Sequence, residues 1–153
     1  MKIKLLTISK EDDKHAHALF LEYAKRLTHY INFEAVNIKP VKTSRSEEQK
    51  RSDAESLLKR IAIDDHVILL DEQGKEMSSA QFSDFIAKKM NAGIKSICFI
   101  IGGAYGFDRL IYERSHAMIA LSKMTLPHQL AKAVFMEQLY RSFTIIRNEK
   151  YHH

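Results

Sequence analysis

The chain has 153 residues, with 24 Lys and Arg against 19 Asp and Glu, 45% hydrophobic side chains and a single cysteine. Such a length and balance suit one ordinary domain over residues 1–153, large enough to bury a full apolar core. They argue against a disulfide scaffold, a CxxC zinc or redox centre and, with no apolar run near ~20 residues, a membrane span. The opening Met1-Lys2-Ile3-Lys4-Leu5-Leu6 is too short and too soon broken by polar residues for a secretory signal, so a cytoplasmic setting is expected. A formal charge of +5 suits a polyanionic partner through counterion release, and suits an ordinary basic surface equally well.

In chain order, residues 2–8 read as a strand. Residues 12–27 read as a helix, with Ala16, Leu19, Phe20, Tyr23 and Leu27 at helical spacing. A second strand covers 33–38, and a polar connection with Pro40 follows over 39–45. Ser46 to Gln49 has capping-box form and opens a charged helix to about Ile61, whose apolar surface begins only at Leu57 and Leu58. Its first turns are therefore expected to be solvated or mobile. Residues 66–70 form a short apolar strand, with a loop over 71–75. A second capping box, Ser78 to Gln81, starts a helix with Met77 and Phe82 placed as a hydrophobic staple. Phe82, Phe85, Ile86 and Met90 make its stripe, and Asn91-Ala92-Gly93 ends it.

Residues 96–101 form a strand apolar on both faces, as a parallel sheet requires. A glycine-bearing turn over 102–106, a short helix over 108–112 and a strand over 116–120 come next. A final helix runs to about Arg147 after Pro127, which is expected at its first helical position. The alternation predicts an α/β fold with a mainly parallel sheet and helices on both faces.

All five glycines lie between 74 and 106, so the site should be built from the second half of the chain. The turn Gly102-Gly103-Ala104-Tyr105-Gly106 follows a buried strand, where open α/β sheets bind ligands. It is no dinucleotide fingerprint, because Ile101 stands where the first glycine belongs, and no P-loop, because no Gly-Lys-Ser/Thr follows. A tight strand-to-helix turn explains some of these glycines without any ligand. In the run 121–128, Ser122, Thr125 and His128 alternate with Leu121, Met124, Leu126 and Pro127. Such a loop can bond a purine edge and pack on its faces, or can serve merely as a helix entry.

The terminal helix is apolar nearly all round, from Leu130 to Phe143. It calls for burial on more than one side, either by a twin subunit or as a central helix of one core. Arg141 and Arg147 suit phosphate contacts or acidic partners. The polar tail Tyr151-His152-His153 is free or docks over a site, where it offers an aromatic plane and an imidazole. His15 and His17, two apart on a helix, do not converge on a metal, and Cys98 in an apolar strand reads as an inert thiol. Neither a nucleophile elbow nor HExxH occurs.

Several segments, taken together and in order, resemble one family: Met1-Lys2-Ile3, Leu69-Leu70-Asp71 with Gly74-Lys75, Ile100-Ile101-Gly102-Gly103 with Gly106, the 121–128 run, Glu137-Gln138-Leu139-Tyr140-Arg141, and Tyr151-His152. They are similar to the SPOUT-class 23S ribosomal RNA pseudouridine N3-methyltransferases of bacteria, the RlmH family. The resemblance spans essentially the whole chain and implies a C-terminal deep trefoil knot, an exception to unknotted folding. It implies S-adenosylmethionine as methyl donor with no metal. Leu70, Gly102, Gly103, Leu121, Ser122, Lys123, Met124, Thr125 and Leu126 would hold the donor. It also implies a homodimer acting on large-subunit ribosomal RNA, with His128, Arg141, Tyr151 and His152 as candidates for proton handling and substrate contact. The family tail usually continues with arginine or lysine, where this chain has His153; a permanent charge is replaced by a titrating one. Rival readings are a knotted methyltransferase for transfer RNA or ribose hydroxyls, a non-catalytic RNA-binding factor, and a small-molecule nucleotide enzyme.

Overall fold

A computed structural model describes residues 1–10 and 13–151. Among them, strands and helices alternate: β1 (Lys2–Ile8), α1 (Lys14–Leu27), β2 (Asn32–Ile38), α2 (Ser46–Leu58), β3 (His66–Glu76), α3 (Ser79–Asn91), β4 (Ser96–Ile101), α4 (Arg109–Arg114), β5 (Ala117–Ala120) and α5 (His128–Ile146). The sheet order is β2-β1-β4-β3-β5 and every pairing is parallel. The expected α/β architecture is thus present.

Side-chain alternation divides the strands between two cores. Ile3 and Leu5 of β1, Ile68 and Leu70 of β3, and Ile97, Phe99 and Ile101 of β4 face α1, α3 and α5. Leu6, Ile8, Val67, Leu69, Cys98 and Ile100 face α2 and α4 on the other side. β4 sits at the centre, with every residue after Ser96 buried. Lys4 and Asp65 pair at 2.5 Å beneath the second face, and Asp65 also accepts from Ser96 Oγ and the Ala62 amide. Burial pushes the Asp65 carboxyl up, but these three bonds outweigh it and hold the group below its ordinary value.

α5 lies between α1 and α3 over β4, with the Phe135 ring tilted against Phe99 at 4.8 Å and Tyr140 5.8 Å from Tyr23. Its apolar circumference is therefore largely covered within one chain, the second of the two arrangements that its composition allows. Cys98 is fully buried, and burial pushes its thiol up to about 12.

Local details differ from the sequence reading where tertiary partners intervene. The helix expected from Asp12 has its described part beginning at Lys14, with Asp13 as its cap; Asp12 lies outside the described residues. The Ser78–Gln81 capping box forms in both directions. The Ser46–Gln49 box does not, and Arg45 takes the cap position. Gln49 is drawn inward instead, accepting from the Thr43 amide and donating to Asp53. The opening turns of α2 are consequently not fully solvated, since Gln49 and Asp53 are buried. Pro127 is the cap of α5 rather than its first helical residue, and α2 ends at Leu58 rather than near Ile61. β5 starts one residue late, at Ala117, and His116 before it already bonds to β3. Its amide donates to Val67 O, and its Nδ1 accepts from the Val67 amide at 2.9 Å.

The largest difference is β3. The segment expected as a loop over 71–75 remains strand to Glu76, with a register shift against β5 between Leu70 and Lys75. Gly74 makes this overhang possible, because a Cβ there would lie 2.6 Å from the Ile119 amide nitrogen. Backbone cannot move aside as a flexible side chain can. Gly74→Ala should therefore cost about 2 kcal/mol, a typical overpacking penalty. A fall in Tm of about 4–8 °C in thermal unfolding is the expected reading for a chain of this size.

Candidate functional site

The carboxyl ends of β3, β4 and β5 open into one cleft of about 750 Å³. That is within the range of small-ligand sites, and the position is the one open α/β sheets use. Three segments wall it: the overhang of β3, the turn over 102–107, and the loop over 121–127 that leads into α5.

Of the residues expected to bind a donor, Leu70, Gly102, Gly103, Leu121, Ser122, Met124, Thr125 and Leu126 all line this cleft. Lys123 is not a wall residue. It points back to the β3 overhang, where its ammonium donates to Glu72 O at 2.7 Å and to Gly74 O at 3.1 Å. The loop is thereby tied to the strand that ends beneath it. Ser122 Oγ accepts from the Met124 amide, which fixes the bend of the loop. Met124 is 79% exposed, so its thioether covers the mouth rather than the floor.

His128 lines the cleft as the first residue of α5. Burial lowers its pKa, so near neutral pH the imidazole is uncharged and can accept a proton.

Arg141 and Tyr151 are elsewhere. They form a cluster between α5, the tail and α1. The Arg141 guanidinium donates to Glu137 at 2.6 and 2.9 Å and lies 4.7 Å from the Tyr151 ring. The Tyr151 hydroxyl donates to Glu137 at 3.0 Å and meets the Tyr23 hydroxyl at 3.3 Å. Burial and these two neighbours push the Tyr151 phenol above its ordinary range. Neither residue belongs to the cleft of its own chain. His152 and His153 lie outside the described residues.

Sequence reasoning missed several wall residues. Asp71, Glu72 and Gln73 belong to the overhang that was expected to be a loop, and Lys50 comes from α2. Tyr112, from the short helix α4, donates to Asp71 at 2.9 Å and closes one side. The only signal for Asp71 was its place directly after Leu70. For Lys50 there was none, because a charged helix face reads as solvated. Among the described residues, no three His, Cys, Asp or Glu side chains gather as a metal site. No helix among them is long and apolar enough to cross a membrane.

Comparison with known proteins adds a family. A family model described as "Predicted SPOUT methyltransferase" matches residues 1–152. A protein of Flavobacterium psychrophilum is 47% identical over 156 residues, covering 100% of this chain and 99% of its own. One of Christiangramia forsetii is likewise 47% identical with the same coverage. One of Cytophaga hutchinsonii is 43% identical over 155 residues, with both chains covered completely. Each is named "Ribosomal RNA large subunit methyltransferase H".

The lysine tether has a measurable role. Lys123→Met keeps the length and removes both bonds to the overhang. Amides 121–126 should then exchange with deuterium at least several-fold faster, while global stability changes by about 0.5 kcal/mol or less, as for an exposed side chain. Unchanged exchange would show the loop to be held by its apolar members alone.

Proposed function

Because this chain belongs to the SPOUT methyltransferase family, we propose that it transfers a methyl group from S-adenosylmethionine to N3 of a pseudouridine in 23S ribosomal RNA, acting in the cytoplasm. The observation that carries the reading is the convergence of β3, the glycine turn and the 121–127 loop on one cleft.

The residues present fit the donor. Leu70, Leu121 and Leu126 offer apolar surface for an adenine ring, and the Gly102-Gly103 backbone allows close approach. Asp71 and Glu72 bring acidic side chains to a ligand that is itself cationic. When bound, the donor supplies an electrophilic methyl group, so the protein's work is alignment and proton handling. The same reading takes the chain through the family's deep trefoil knot, with 121–127 beside the 102–106 turn.

N3 of pseudouridine must lose its proton as the methyl arrives. His128, neutral and on the cleft wall, is the base in this proposal. The acceptor base has to leave its stack to reach such a recess. Arg141, Tyr151 and His152 take their part from a twin subunit in this scheme, with the cluster of Arg141 and Tyr151 set against the partner's cleft to hold a phosphate or an enolate-like oxygen. The placement of Arg141 and Tyr151 outside their own chain's cleft supports that assignment over one in which a single chain is sufficient.

The deciding experiment is mass mapping of large-subunit RNA from cells lacking this chain. One pseudouridine should lack its methyl group and regain it when the protein and donor are added back; an unaltered map refutes the assignment. For His128, burial lowers the pKa in the folded protein, so the active neutral form persists to lower pH than for a free imidazole near 6.5. The acid limb of single-turnover rate against pH should fall below that value. His128→Ala should remove the limb and slow the reaction by about 10²–10⁴.

A further inference from the structure

Asp53 is 6% exposed, and its one hydrogen-bond partner among the described residues is the Gln49 amide, 2.8 Å from Oδ1. No basic side chain there pairs with it. Lys50, three residues before Asp53 on α2, turns to the cleft and meets Glu47 at 2.6 Å. Burial raises the Asp53 carboxyl above its ordinary value, and the Gln49 bond offsets this only in part. A buried carboxylate without a cation is a costly arrangement that proteins keep for a reason.

Its position gives the reason. Asp53 Oδ2 lies 2.5 Å from the point a Cβ of residue 103 would occupy. Only glycine at 103 lets the carboxylate sit against this stretch of backbone, whose other side lines the cleft. In a partly dehydrated interior a charge is screened less than in water.

We propose that Asp53 is the counter-charge for the cationic methyl donor, a positioning residue that acts from behind the Gly102-Gly103 turn and favours charged over uncharged adenosyl ligands. The proposal rests on the methyltransferase reading above. The donor carries two positive groups, a sulfonium and an ammonium, and Asp53 serves one of them. Removal of the methyl group leaves a neutral sulfur, so a counter-charge to the sulfonium would also ease release of the spent donor.

Calorimetry with three ligands tests this. S-adenosylmethionine carries both positive groups, S-adenosylhomocysteine only the ammonium, and 5′-methylthioadenosine neither. Asp53→Asn keeps the shape and an oxygen for Gln49. It should weaken S-adenosylmethionine about tenfold, the effect of one partly screened charge pair, and leave 5′-methylthioadenosine unchanged. S-adenosylhomocysteine identifies the group: unaltered binding assigns the sulfonium, and an equal loss with S-adenosylmethionine assigns the ammonium. No change for S-adenosylmethionine, or the same loss for all three ligands, overturns the proposal. If the natural chain binds no S-adenosylmethionine at all, the functional reading itself fails.

Should Asp53→Asn not fold, the natural chain labelled with ¹³C at aspartate carboxyls serves instead. The Asp53 titration midpoint should fall on saturation with S-adenosylmethionine and stay in place with 5′-methylthioadenosine. Equal behaviour with the two ligands overturns the proposal.

Discussion

Every strand of the sheet runs in the same direction, so each return must cross a face and all five strands finish at one edge. The crossings supply α1 and α3 on one side, where α5 joins them after β5, and α2 and α4 on the other, which is why β4 is apolar throughout. The shared edge supplies the cleft. Segments far apart in sequence arrive there together without any contact needing to be made between their own side chains first. The three walls are then locked by a few specific features: Gly74 against β5, Lys123 on the carbonyls of the overhang, and Tyr112 on Asp71.

What could be read in the letters follows from how local each determinant is. The strands over 2–8 and 96–101 match their observed bounds because an apolar period of two, or an unbroken apolar run, is carried by the segment itself. The Ser78–Gln81 box is legible for the same reason, as both partners lie within one turn. The identical signature at Ser46–Gln49 misleads because Gln49 finds the Thr43 amide and Asp53 instead. The β3 overhang could not be seen, since its polar residues are kept in strand form by β5, more than forty residues later. Buried polar residues on α2 escape any reading based on hydrophobic spacing.

For the site, the resemblance to a family gathered residues most of which backbone topology brings to one cleft, and the glycine turn alone pointed to the edge where that cleft lies. It did not separate two groups that the fold keeps apart. The residues expected to hold a donor line the cleft, Lys123 excepted, whereas Arg141 and Tyr151 are held by Glu137 and Tyr23 over α1. Spacing along α5 cannot reveal this, because His128 and Arg141 occupy the same helix more than three turns apart. One end of that helix meets the cleft and the other meets the tail.

The lone cysteine lies in the middle of β4, sealed beneath α2 and α4 with its thiol pushed up to about 12. Alkylating and oxidising agents act on the thiolate, and here that form is scarce and out of reach. The folded protein thus offers thiol-directed reagents no cysteine on its exterior. A cysteine placed deliberately on the rim of the cleft would carry a fluorophore or spin label at one defined spot, with no need to remove the native sulfur first.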